Sequence, residues 1–348
     1  MDNQQAIEAP TDHLHELISG FHATYHVYIG VVCGMFDALT EPQTASSLAT
    51  ECDLHEPYVR AFCEAGLRWK FLTVDLDVPG TDDDSPEFRL RTEFVNLLAE
   101  PESPKYMGDF FRFLGAHQAD EYASYTEAFK TGQTRDTERR GPAFTMSIEE
   151  STQGIQDVFL NHLLPELSAF EACLERGGRV MDIGCGTGRL LCRLCTRFPE
   201  IEALGVDLDV DAIDRARTRA AREGVANRTT FRVQDAKNVD GPVAAAIMFM
   251  SVHEMAVETR RTLFERLSDV LTEDGVVVVF DEVYPGRYEE FDQRPFTAGV
   301  ETQWAELTWG ADVPTSAEHR ALFAAADCEE RGYRTVADRF IIHEGSKT

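Results

Sequence analysis

The spacing of apolar residues changes along the chain, and that change divides it. From about residue 12 to 39 they recur every three or four positions, which predicts one long helix. "TASSLATECD" at 44–53 and "EPYVRAFCEAGLRWKFLTVD" at 56–75 keep that spacing, and two short extended runs then flank the turn-rich "VPGTDDDSPE" at 78–87. In that stretch Leu48, Leu54, Val59, Phe62, Leu67, Phe71 and Leu72 form the stripe expected to face inward. Residues 104–170 read as further helices, interrupted by "KTGQTRDTERRGP" at 130–142. From about 177 the pattern alternates: "GGRVMDIGCG", "IEALGVDLD", "TTFRVQDA", "VAAAIMFMSV" and "VVVVFDEV" read as strands, separated by amphipathic helices. "ETRRTLFERLSDVLTEDG" reads as a helix that closes at its glycine. Strands this apolar, alternating with helices, predict a parallel sheet covered on both faces.

The expected fold class is therefore α/β. A doubly wound, Rossmann-like domain over 171–348 follows a mainly α domain over 1–103, with a helical linker over 104–170 between them. The order of helix, turn, helix and two strands in the first domain looks like a winged helix. Its second helix carries Glu56 and Glu64 beside Arg60 and Arg68, and the loop tip is Asp82, Asp83 and Asp84, whereas a phosphate-facing surface is basic. Dimerisation or pocket scaffolding is expected rather than DNA binding. The linker is rich in aromatics, and Tyr106 and Phe110 are its candidates for a substrate wall. A long segment at 284–314, with Tyr284, Tyr288, Trp304 and Trp309, reads either as a lid contributing Trp304 to the substrate or as a packed insert.

After the first strand of the second domain comes "VMDIGCGTGRL". A glycine-rich turn at that place brings backbone close to a ligand, but the dinucleotide spacing GxGxxG fails, because Gly186 and Gly188 are one residue apart. Asp182 before the turn repels a phosphate and suits a ligand that carries an ammonium group.

"VMDIGCGTG" resembles the first motif of class I S-adenosylmethionine-dependent methyltransferases, and further motifs follow in order: "GVDLD", "VQDAK", "AAIMFMSVHEM" and "LTEDGVVVVFDEV". The resemblance implies S-adenosylmethionine as cofactor. Asp182 and the backbone of Gly184, Cys185, Gly186 and Gly188 would hold its methionine part, Asp207 with Leu208 its ribose, and Asp235 with Ala236 its adenine, with Met250 nearby. A nicotinamide enzyme is the rival on the same fold. The amino-terminal domain together with "SVHEM" is similar to the small-molecule O-methyltransferases. That likeness implies His253 as general base, oriented by Asp281 at the end of the fifth strand, with Glu282 adjacent. No match is found for the family's second supporting acid. An S- or N-methyltransferase acting on a small metabolite or osmolyte precursor would need no base, and a ligand-sensing regulator is the alternative outside enzymes.

Charge adds the environment. The chain of 348 residues has 61 acids against 33 bases, a formal net charge of −28, and lysine only at 70, 105, 130, 237 and 347. Such a field repels nucleic acid and anionic membrane, and molar salt screens it to about 3 Å, so a halophilic host is expected. The scattered cysteines, the absence of a 20-residue apolar run and an acidic, polar start point to a cytoplasmic protein without membrane segments. The lone Cys192/Cys195 pair and the His22/His26 pair are read as structural, with no metal expected. The partners expected are a small-molecule methyl acceptor and a second copy of the chain.

Overall fold

The computed structural model describes residues 5–76, 85–134, 141–310 and 312–348. The acidic tip Asp82 to Asp84 lies outside them. The chain forms two compact units, Met1–Asp120 with Glu150–Ile155, and Glu121–Glu149 with Gln156–Thr348. The helices of the expected linker are thus shared between the two.

In the first unit, α1 (Gln5–Val32) starts earlier than expected and does not run to 39. Gly34 takes a left-handed φ of 69°, a conformation that costs glycine little, and the short α2 (Met35–Ala38) sets off in a new direction. β1 (Gln43–Thr44) leads into α3 (Ala45–Glu51), whose first turn is capped by the Thr44 side chain accepting the Ser47 N–H. After α4 (Glu56–Arg68), β2 (Leu72–Asp75) and β3 (Glu87–Leu90) pair antiparallel in the order β1-β3-β2, and α5 (Thr92–Leu98) and α6 (Gly108–Phe113) follow. Four residues of the predicted stripe, Leu48, Val59, Phe62 and Leu72, are buried with Phe36 and Leu90, while Leu54, Leu67 and Phe71 pack at the margin of that core. His26 belongs to it as well. Its ring stacks on Phe62 at 4.0 Å and its Nε2 meets the Phe62 carbonyl at 2.9 Å, the contacts of a core histidine.

The second unit takes in most of α7 (Ala119–Thr131) and parts of α8 (Pro142–Val158), then α9 (Ser168–Arg176) and an alternating α/β run. That run is β4 (Gly178–Ile183), α10 (Arg189–Arg197), β5 (Ile201–Asp207), α11 (Val210–Arg222), β6 (Thr229–Val233), β7 (Val243–Phe249), α12 (Val257–Val270) and β8 (Leu271–Asp281). α13 (Thr297–Ala305), α14 (Ser316–Ala325), β9 (Cys328–Val336) and β10 (Phe340–Lys347) complete it. The seven-stranded sheet has the order β6-β5-β4-β7-β8-β10-β9, with β10 antiparallel to both of its neighbours and the other pairs parallel.

The central strands are apolar because both faces are covered. Val276 to Phe280 of β8 are all buried, and so are Leu190, Leu191, Leu194 and Cys195 on the inner side of α10. Each such side chain contributes about 1.5–3 kcal/mol by leaving water. The segment "LTEDG" corrects the sequence reading. It belongs to β8, because Leu271 already pairs with Val243, and a bulge with Asp274 at φ 63° absorbs the extra residues before Val276 meets Ala245. The chain adds strands to one side of β4 and then crosses to β7 on the other, so the topological switch point lies between β4 and β7. No helix among the described residues is long and apolar enough to cross a membrane.

Candidate active site

Every strand of the parallel set delivers a polar group at its carboxyl end. Asp182 and the glycine turn close β4, Asp207 closes β5, Asp235 follows β6, His253 follows β7 and Asp281 closes β8. The turn is built by three left-handed glycines, Gly184, Gly186 and Gly188, at φ 77°, 50° and 69°. A Cβ on Gly184 would strike Ser251, whose hydroxyl donates to the Ile183 carbonyl at 2.7 Å and ties the β7 loop to the turn. A Cβ on Gly188 would meet Phe231 and Ala216. At Gly186 nothing lies within 4 Å, so this middle residue faces open space.

Two acids stand at the adjoining strand ends, Asp182 buried and Asp207 partly exposed. Asp182 is 2% exposed, and its Oδ1 has no hydrogen-bond partner among the described residues. Burial, reinforced by Asp207, pushes its carboxyl up to about 8. A buried acid without a partner is costly, and an ammonium group at Oδ1 would remove the cost. Asp207 is oriented by backbone: the Gly186 N–H donates to Oδ2 at 2.8 Å and the Asp209 N–H to Oδ1 at 2.9 Å, while burial holds its carboxyl above the usual range. The orphaned oxygen, the oriented second acid and the open face at Gly186 fit a ligand that carries an amine at one end and hydroxyls at the other.

His253 is 3% exposed. Its Nδ1 lies 2.5 Å from Asp281 Oδ1, and Asp281 Oδ2 accepts the backbone N–H groups of Val252 and His253 at 2.9 and 3.2 Å. Asp281 is therefore fixed by backbone and fixes the imidazole in turn. On the other side Nε2 lies 3.6 Å from Glu306 Oε2, and Glu254 brings a further carboxylate within 4.8 Å. Burial alone would lower the imidazole pKa, but Asp281, then Glu306 and Glu282, outweigh it and hold it well above the ordinary value. The loop is also held from behind. Buried Arg260 donates to Asp312 Oδ2 at 2.8 Å and to the Asp312 carbonyl, and the Asp312 N–H reaches the His253 carbonyl at 2.9 Å.

Residues 180–275 match a family described as a methyltransferase domain. Residues 180–275 are thus a methyltransferase domain, set in a class I fold. A methyltransferase of Aspergillus campestris is 29% identical over 178 residues, covering 47% of this chain and 49% of the relative. The chain spans about half or less of the length of the first curated relatives it matches. Among solved structures, human N-acetylserotonin methyltransferase in complex with S-adenosylmethionine is similar over 100% of this chain and 98% of its own, at TM-score 0.74 and 15% identity. An O-methyltransferase-like structure from Nostoc punctiforme is similar over 96% and 98%, at TM-score 0.75 and 18% identity. At such identities the likeness is one of fold.

Within the methyltransferase domain the remaining predicted residues fall as follows. Cys185 is buried in the turn, and Met250 follows β7 with φ 53° and donates its N–H to the Phe280 carbonyl at 2.7 Å. Leu208 is 46% exposed beside Asp207. Asp235 caps the short turn starting at Ala236, accepting the Lys237 N–H and pairing with the Lys237 ammonium at 2.9 Å. Glu282 is buried next to Asp281, and burial raises its carboxyl pKa. It is Asp281, not Glu282, that bonds the histidine. Trp304 lies in the last turn of α13 within the insert, whereas Tyr106 and Phe110 lie in the first unit. Cys192 and Cys195 are buried in α10 as free thiols. Sequence reasoning missed Glu306, because its only signal was an acid within an irregular stretch 25 residues past β8.

Proposed function

We propose that the chain transfers a methyl group from S-adenosylmethionine to a hydroxyl of a small-molecule acceptor, with His253 as general base. S-adenosylmethionine supplies a methyl already activated on a sulfonium when it is bound. Asp182 would take the ammonium group, Asp207 the ribose hydroxyls and the Asp235 region the adenine, while the glycine turn gives backbone approach. What the chain itself must add is placement of the acceptor oxygen in line and a destination for its proton. The observation that carries this reading is the His253–Asp281 contact at 2.5 Å, which fixes the ring so that Nε2, facing Glu306 at 3.6 Å, is the nitrogen that would take the acceptor's proton. An amine or sulfur acceptor would need no such arrangement.

Calorimetric titration in high potassium chloride, with S-adenosylhomocysteine and separately with NAD, tests the cofactor half. Micromolar binding of the first alone is expected; binding of NAD, or of neither, would overturn it. The regulator reading lacks a basic surface: on α4, Arg60 is already paired with Glu56. A gel shift with random duplex at low salt would reveal it.

We read the first unit as a winged-helix domain that pairs two copies of the chain. Leu14, Leu17, Ile18, Phe21, Ile29 and Val32 of α1 are all exposed, at spacings that place apolar groups along one helix. The net charge of −28 and the unbridged state of all eight cysteines favour a salty, reducing cytoplasm. Sedimentation from low to molar potassium chloride checks both readings. A species of twice 39.0 kDa that is lost on Phe21→Glu, and a folded state that strengthens with salt, are expected. A monomer throughout, or full stability without salt, would remove the corresponding reading.

A further inference from the structure

The acid facing Nε2 of His253 stands at the end of a helix whose last carbonyls need donors from elsewhere. α13 ends at Ala305 and Glu306 follows it. Last-turn carbonyls of a helix have no N–H partner within it. Here the Tyr125 hydroxyl of α7 supplies one, lying 2.6 Å from the Trp304 carbonyl and 2.8 Å from that of Ala305. The Tyr125 ring is buried and meets Trp304 edge-on at 5.5 Å. One turn earlier on α7, buried Glu121 accepts the Thr308 hydroxyl at 3.2 Å. The helix thus grips the backbone just before Glu306 and a side chain just after it.

We propose that Tyr125 is a positioning residue: its hydroxyl fixes the end of α13 so that Glu306 stays against Nε2 of His253, and α7 thereby tunes the histidine without touching it. The functional weight of this rests on the reading of His253 as base. Several charged groups surround that ring. Asp281 ends β8 and Glu282 follows it, Glu254 comes from the histidine's own loop, and Arg260 with Asp312 stands behind the loop. His319 of α14 lies behind Asp281. Tyr125 bonds the backbone beside none of these groups but does so just before Glu306. Tyr125 does not itself titrate in the working range: burial, then Tyr122, pushes its phenol up to about 12, so it remains a donor.

The test follows the His253 ring by NMR in the full chain, labelled with ¹³C at histidine Cε1 and assigned by the signal lost in His253→Asn. Glu306→Gln should lower the pH at which His253 titrates by about one unit, since an opposite charge at this range favours the imidazolium. Tyr125→Phe keeps the ring packing and should move the titration the same way by roughly a third of that or more, and the double variant should match Glu306→Gln alone. S-adenosylhomocysteine affinity of Tyr125→Phe should stay within about twofold, which shows that the domain is folded. A Tyr125→Phe titration at the wild-type pH, an additive double variant, or no shift in Glu306→Gln would each overturn the proposal. If the Tyr125→Phe shift appears while His253→Ala still methylates, the base reading fails and the positioning role stands.

Discussion

Replacing His253 by alanine is expected to lower kcat for methyl transfer about 10²–10⁴-fold, the contribution of a positioned base, and to leave affinity for S-adenosylhomocysteine within about twofold. The two effects separate because the ring touches Asp281 and faces Glu306, whereas the cofactor candidates are Asp182, Asp207 and the glycine turn. In the wild-type protein the carboxylates keep the imidazole protonated above the ordinary histidine range. A base must be neutral, so the rate should climb as pH rises through that raised pKa, and the alanine variant should lack this limb. Stability runs the other way. Between the unfolded and folded pKa the native chain holds a proton that the unfolded chain has lost, so the ion pair's contribution is complete below the unfolded pKa and fades as pH rises through the folded one. Initial rates over a pH series, beside calorimetric binding for both proteins, decide the matter. Unchanged turnover in the variant would move the reading to an amine or sulfur acceptor.

The second large effect concerns Asp182. With its carboxyl near 8, the ligand-free protein carries a proton there at neutral pH. A ligand ammonium must expel that proton, so Kd for S-adenosylhomocysteine should worsen by up to about tenfold per pH unit below 8 and level off above it. Asp182→Asn removes the charge and should weaken binding about 30-fold or more, since one member of a buried charged pair is lost, and should flatten the pH dependence. The same variant should melt higher than wild type in the absence of ligand above pH 8. There the wild-type chain holds a buried, ionised acid with an unpaired oxygen, and stability therefore falls as pH rises from the ordinary carboxylate range to about 8. Proton release in calorimetry with buffers of different ionisation heat gives a direct count. Tight, pH-independent binding in the asparagine variant would show that Asp182 does not face the amine.

What could be read in the sequence was whatever local chemistry decides. Left-handed turns leave glycines, and strands covered on both faces leave valine runs, so the Gly184–Gly188 turn and β8 were both legible. The ends of elements were less so. α1 stops where Gly34 turns the chain, although the apolar spacing continues past it, and "LTEDG" pairs in the sheet although its composition is that of a helix end. Asp281, which the likeness to O-methyltransferases placed at the strand end as the partner of His253, does bond its ring, while the adjacent Glu282 does not. Glu306 depended on a fold-back after α13 held by the Tyr125–Trp304 and Glu121–Thr308 contacts, 179 and 187 residues apart in sequence, which no local pattern encodes.

The three glycines of the turn are not equivalent, and this bears on how the loop can change over generations. Gly184 and Gly188 are held by collisions inside the protein, with Ser251 and with Phe231 and Ala216, so any descendant that keeps the fold must keep them small. A Cβ at Gly186 would meet no atom, so its backbone angle of 50° is what restrains the choice of residue there, a conformation that asparagine or aspartate adopts more readily than other side chains. A lineage that abandoned its cofactor would keep the outer pair and let the middle position drift. In this chain all three are glycine: the outer two answer to side chains packed against them, and the middle one answers to its own backbone angle and leaves the space above it open.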